Sequence, residues 1–261
     1  MIPPKLSIVT AYHNRKESFL KTLDSFTKSK YANEIEVIVT DDGSDEGQRL
    51  GYDFIPEGYP FHVRVVIVDK DKKTWKNPCI AFNLAILQAD GEKIILQNPE
   101  NYHVTDIIAH TIDNLTKEDY FVYKVFAMTL EQSKDIENTI KTVEFEKIST
   151  SGRENGWYIH PIHRNGYYHF VSAIDTEILK KDLGGFDERF AHGWGFDDDE
   201  LFIRIQRRKL RAQIINDHLA LHQWHPPSIP FEPTNEGLKN GTLYSTIINP
   251  NKENSRYYNG D

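Results

Sequence analysis

The chain has 261 residues, of which 39% are hydrophobic, 12% aromatic and 27% charged, enough for one large domain or two small ones with a substantial buried core, and a composition that argues against wholesale disorder. Its 31 basic and 39 acidic residues leave a formal charge of −8, which argues against a nucleic-acid partner reached through bulk electrostatics. One cysteine, Cys79, excludes an internal disulfide framework and a cysteine-only zinc site.

No stretch approaches the roughly 18 consecutive apolar residues of a membrane-spanning helix. The run Met1-Ile2-Pro3-Pro4-Lys5 lacks the apolar core of a secretion signal. The expectation is a cytoplasmic chain without a transmembrane segment.

In chain order, Leu6 to Ala11 is a β-rich run entering a polar turn, and Phe19, Leu20, Leu23 and Phe26 then fall at helical spacing. Ile35 to Val39 is a second apolar run, Asp41 to Asp45 is turn chemistry, and His62 to Val68 reads as a third strand. A helix from about Cys79 to Gln88 precedes a strand at Lys93 to Leu96. Strands alternating with helices predict βαβ units, hence a mostly parallel central sheet flanked by helices. Beyond residue 118, Tyr120 to Phe126 reads as a strand, whereas 131–148 is too polar to assign. Gly156 to Phe170 carries Trp157, further aromatics and several histidines, suited either to a binding loop or to an aromatic cluster closing the core. A helix is predicted from near Asp198, and the tail from Pro226 reads as loop or lid.

Ligands of open parallel sheets bind beyond the carboxyl ends of the strands. Those turns carry Tyr12 to Arg15, then Asp41 and Asp42, then Asn98-Pro99-Glu100. The first turn holds neither a dinucleotide fingerprint nor a phosphate loop. A carboxylate in the second turn can accept the imide N–H of a uracil ring, and Glu100 offers an oxygen ligand for Mn²⁺ or Mg²⁺. Farther on, Gly193-Trp194-Gly195-Phe196 precedes four acids, Asp197 to Glu200, that open a helix ending in Arg207-Arg208-Lys209. Complementing the helix dipole accounts for part of this pattern. It does not account for glycines flanking a tryptophan, which suit close approach to a sugar ring, or for paired carboxylates, which suit acid/base work. His222 and His225, three apart after an apolar run, are imidazoles of the kind that ligate divalent metals.

In their collinear order these residues resemble the inverting, family 2-like glycosyltransferases of the A-type fold. The resemblance rests on Ser7 to Arg15, Val37 to Ser44, Asn83-Leu84-Ala85 ahead of Ala89-Asp90-Gly91, and Gly184 to Phe190. The Trp194 to Arg204 segment is similar to the acidic helix start of β-1,4-galactosyltransferases and glycosaminoglycan polymerases. The resemblance implies a glycosyltransferase A-type domain over 1–230, with a nucleotide-sugar-binding half (1–117), an acceptor-binding half (118–230) and a tail or lid (231–261). It implies Asp198 as catalytic base, with Trp194, Gly195 and Asp197 binding a glycan or other hydroxyl acceptor. Thr10, Tyr12, Arg15, Asp41, Asp42, Asn83 and Asn98 are implied to meet a nucleoside diphosphate sugar, most simply UDP-linked, with Arg15 alternatively orienting a carboxylate. Glu100 and His222 are implied to hold Mn²⁺ or Mg²⁺, with His225 in reserve. Two departures stand out: Asn98-Pro99-Glu100 replaces the family's metal-binding Asp-x-Asp, and Phe82 stands where the family often has Arg. A nucleotide-sugar or carbohydrate-binding module without turnover and a nucleotidyltransferase are the alternatives.

Overall fold

The computed structural model of the chain describes residues 3–51, 54, 58–226 and 235–248. Strand β1 (Leu6–Tyr12), helix α1 (Lys16–Phe26), β2 (Ile35–Asp42), β3 (His62–Val68), α2 (Cys79–Gln88) and β4 (Lys93–Gln97) follow in the predicted order. β1 pairs with β2 and β4, and β2 with β3, all parallel. Strands covered on both faces read as near-continuous apolar runs; β2 is buried along its whole length, and its buried carboxylates Glu36, Asp41 and Asp42 each have hydrogen-bond partners.

The second half extends the same sheet. It comprises β5 (Asn101–His103), α3 (Ile107–Asn114), β6 (Asp119–Ala127), α4 (Leu130–Lys134), α5 (Ile136–Thr142), β7 (Gly156–Ile159), β8 (Val171–Asp175), α6 (Asp197–Arg207), β9 (Arg211–His222) and α7 (Asn235–Ile248). β8 inserts antiparallel between β4 and β6, and β9 runs parallel to β6 and antiparallel to β5. The order is β3-β2-β1-β4-β8-β6-β9-β5, with β7 on β6. The sheet is thus parallel through β4 and mixed beyond it.

Polar chemistry pins the non-catalytic end. Buried Ser7 donates to Glu36 Oε1 at 2.7 Å and accepts from the Gly91 N–H at 2.9 Å, while the Asp90 N–H reaches Glu36 Oε1 at 2.7 Å. A Cβ on Gly91 would stand 2.5 Å from the Ser7 nitrogen, so only glycine lets the turn before β4 lie this close to β1.

Two stretches for which no helix was expected contain helices. Within 131–148, Thr129 and Gln132 form a reciprocal capping box ahead of α4, and Asp135 caps α5 by accepting the Asn138 N–H. The tail read as loop or lid contains α7 instead. Its Gly241 and Ser245 are buried four residues apart, so small residues that suggest a loop form a close-packing helix face here. Residues 227–234 and 249–261 of that tail lie outside the described residues. Between the two readings of 156–170, Trp157 takes the core one. It is fully buried, edge-on to Phe126 at 5.2 Å. Tyr158 and Phe170 stack at 4.6 Å and together flank His222.

Candidate active site

The site begins with strand register. Asn101 of β5 lies opposite His222 of β9, which brings Glu100, one residue earlier, beside the end of β9. Gln223 locks the junction, its N–H reaching the Glu100 carbonyl at 3.1 Å and its amide donating to Ser18 O and Thr22 Oγ1 on α1. His222 Nε2 and His225 Nε2 converge on Glu100 Oε1 at 3.0 and 3.3 Å. Arg15, immediately before α1, places Nη1 3.2 Å from Glu100 Oε2. Arg15 therefore orients a carboxylate, one of its two expected roles.

Glu100 is 1% exposed. Burial pushes its carboxyl up, but the Arg15 guanidinium and the hydrogen bonds with His222 and His225 outweigh that and hold it well below the usual carboxylate range. Burial pushes His222 down, toward the neutral imidazole that can act as a ligand. His225 Nδ1 lies 2.8 Å from the Pro226 carbonyl oxygen and 3.2 Å from Arg15 Nη2, so both Arg15 and Glu100 meet this ring. Donor atoms of Glu100, His222 and His225 lie within 4.8 Å of one another. One carboxylate and two imidazoles are a donor set suited to a divalent transition metal rather than to a cation that takes only oxygen ligands.

A second cluster forms at the start of α6. Gly195 and Phe196 both adopt left-handed backbone, φ +68° and +66°, so the chain turns sharply into the helix. For a phenylalanine this conformation is strained, as happens where the surrounding structure fixes a functional geometry. Asp197 is buried and accepts from Asn77 Nδ2 at 2.7 Å. Asp198, 24% exposed, places Oδ1 3.5 Å from His169 Nδ1. Burial, then the charges of Asp197 and Asp199, push the Asp198 carboxyl well above the usual carboxylate range. Trp194 is half-buried and Gly195 exposed just ahead of these acids. The Glu200–Arg204 pair, at 2.6 Å, belongs to the scaffold: Arg204 also donates to the Leu183 and Gly185 carbonyls and ties α6 to that turn.

The third group is the β2 end. Asp42 accepts from Lys73 Nζ at 2.7 Å and Trp75 Nε1 at 2.9 Å, and burial raises its carboxyl despite them. Asp41 spends both oxygens on the Ser44 and Leu50 N–H groups, at 3.0 and 2.7 Å, and so shapes the turn. The buried Tyr12 hydroxyl donates to Gln48 O at 2.6 Å. Thr10 Oγ1 is buried and has no partner among the described residues.

Two short bridges join the groups. Trp75 holds Asp42 and Asn77 holds Asp197, two residues apart. His169 meets Asp198, and the adjacent Phe170 packs 6.0 Å from His222. The Phe170 carbonyl accepts the Asn98 N–H at 3.2 Å, which sets the half-buried Asn98 at the same edge. Asn83 is committed elsewhere: its amide donates to Phe186 O and accepts the Phe186 N–H, at 2.9 and 2.8 Å, bracing the turn after Gly185. Asn83, an expected nucleotide contact, therefore stands at that turn with both its amide nitrogen and its oxygen on Phe186. The sequence reading missed Lys73, Trp75, Asn77 and His169. Only the aromatic, histidine-bearing stretch ending at Phe170 carried a signal for any of them.

Residues 7–181 match glycosyl transferase family 2, and residues 161–223 match the N-terminal domain of galactosyltransferase. The uncharacterized glycosyltransferase YfnE of Bacillus subtilis is 23% identical over 265 residues, covering 85% of this chain; the chain spans 65% of that relative's length. Among solved structures, S. aureus TarS 1–349 in complex with UDP-GlcNAc aligns with a TM-score of 0.63 and 16% identity, covering 95% of this chain and 68% of that one. The mannosyltransferase PcManGT from Pyrobaculum calidifontis, in complex with GDP-Man and Mn²⁺, aligns at 0.52 and 19% identity, covering 85% and 58%. These likenesses show the A-type glycosyltransferase fold. No helix among the described residues is long and apolar enough to cross a membrane.

Proposed function

The chain belongs to glycosyl transferase family 2, and on that footing we propose that it transfers a hexosyl or N-acetylhexosaminyl unit from a nucleoside diphosphate sugar, UDP-linked, to a hydroxyl of a glycan or other acceptor, with inversion. The observation that carries this reading is Asp198, a partly exposed carboxylate whose proton affinity burial and two neighbouring acids raise. A general base works best when its pKa approaches the working pH.

In the proposed step Asp198 takes the acceptor hydroxyl proton as that oxygen bonds to the anomeric carbon. The bond from that carbon to the diphosphate oxygen breaks, and its electron pair leaves with the nucleotide. Asp197, held by Asn77, and the Trp194–Gly195 corner orient the acceptor on the face from which attack inverts the centre. Asp42, Thr10 and Asn98 line the donor side, with Lys73 and Trp75 fixing Asp42. Glu100, His222 and His225 are suited to hold Mn²⁺, with Arg15 keeping Glu100 ionised; when bound, such a cation supplies Lewis-acid stabilisation of a leaving diphosphate.

Asp198→Asn removes the base at nearly constant volume. Transfer should fall by about 10²–10⁴-fold while UDP-sugar binding, followed by calorimetry, stays within a few-fold. Near-normal turnover would take Asp198 out of the mechanism. One observation favours a second reading, a nucleotide-sugar-binding module without turnover. Glu100 already has a guanidinium and two imidazoles as partners. Binding of a UDP-sugar with no UDP released, at saturating Mn²⁺ and across a panel of acceptors, would establish that alternative.

A further inference from the structure

His169 sits immediately before β8, 7% exposed, with Nδ1 buried and without a hydrogen-bond partner among the described residues. Buried ring nitrogens are nearly always paired, and one left over in a native fold calls for an explanation. Two aromatic walls fix the ring: Phe82 of α2 lies edge-on at 4.8 Å, and Phe186 at 5.0 Å and 70°. Held this way, Nδ1 lies 3.5 Å from Asp198 Oδ1 without a made hydrogen bond. Hydrogen bonds within catalytic groups are often long before substrate binds and shorten in the reacting complex.

We propose that His169 is the positioning residue of the base, its Nδ1–H closing onto Asp198 Oδ1 when donor and acceptor bind, so that Oδ2 faces the acceptor hydroxyl. This rests on the reading of Asp198 as the base. Burial keeps the imidazole neutral, and a neutral ring has one N–H to give. The other titratable groups facing the pair are Asp197 and Asp199 on α6, Tyr120 on β6 and Tyr168, just ahead of His169. Asp197 gives Oδ1 to Asn77, and Asp198 Oδ1 is the carboxylate oxygen that lies 3.5 Å from His169 Nδ1.

The test pairs His169→Phe, which keeps an aromatic ring between the two walls but removes the nitrogen, with His169→Asn, whose amide can place an N–H near the Nδ1 position. The assay is UDP release from UDP-hexoses, run beside Asp198→Asn. For His169→Phe, kcat should fall by about 10-fold or more at unchanged donor KM. The acid limb of its pH profile should move to higher pH, because a donor to the charged carboxylate has gone. His169→Asn should recover most of both losses. Nitrogen NMR of the unmodified protein with UDP bound should show His169 protonated at Nδ1, with a resonance that moves on Asp198→Asn. Should His169→Phe fail to fold, His169→Gln and the NMR tautomer carry the same decision. A wild-type kcat and pH profile in His169→Phe, or a ring protonated only at Nε2, overturns the inference. If Asp198→Asn itself turns over normally, the base assignment has failed instead, and the two failures are distinguishable.

Discussion

Asp198 gains proton affinity from burial and from two like charges beside it, Asp197 and Asp199. A base raised in this way loses its free form as pH falls through that raised value. The acid limb of kcat/KM should therefore lie above the ordinary carboxylate range. Asp199→Asn removes one repelling charge and should move the limb to lower pH; a pH–rate series in which it stays or moves upward contradicts the electrostatic account. At the other cluster, Glu100→Gln keeps the volume but removes the only anion among Glu100, His222 and His225. Its Mn²⁺ affinity, read by calorimetry, should fall by at least the roughly 10–100-fold that losing an outer partner costs, and unchanged affinity would place the metal elsewhere. Most of these residues were legible in sequence because carboxylates and histidines follow strand ends. His169 was not: its role depends on Phe82 and Phe186, far away in sequence, converging on it.

Helix α7 shows how an element with no chemistry of its own supports the site. Asn240, 3% exposed, donates to Phe190 O and Gly195 O, both at 2.9 Å, and Tyr244 packs 5.5 Å from Phe196. It thereby braces the strained corner that aims the acids. Asn240→Leu leaves two carbonyls without this donor and should cost about 1–3 kcal/mol. It should raise acceptor KM more than donor KM, so equal effects on the two would mean that α7 does not act through the corner. Gly91→Ala forces a Cβ to within 2.5 Å of the Ser7 nitrogen and should destabilise by about 1–3 kcal/mol, measured by chemical denaturation. The first half of the fold was readable because parallel strands are continuous apolar runs. Beyond β4 the signals thin out. β5 is three residues long, α4 and α5 are short helices of five and seven residues marked only by their caps, and α7 carries glycines and serine on its packing face.

At the scale of the molecule, the order β3-β2-β1-β4-β8-β6-β9-β5 does what no single motif does. It runs β1, β2, β4 and β9 in one direction, so that their carboxyl ends share one edge. Short links then run from Asp42 through 75–77 to Asp197, and from Asp198 through 169–170 to His222. Collinear motifs could suggest this meeting, but only strand register establishes that Glu100 faces His222. The most direct test is a structure of the protein with UDP and Mn²⁺ bound. The account predicts the cation on Glu100 and His222, the uridine toward Asp42, and the diphosphate on the side that Asp198 faces. Nucleotide seated elsewhere, for example in the groove between Asn83, Lys180 and Glu188, with Glu100 and Asp198 untouched, would contradict it.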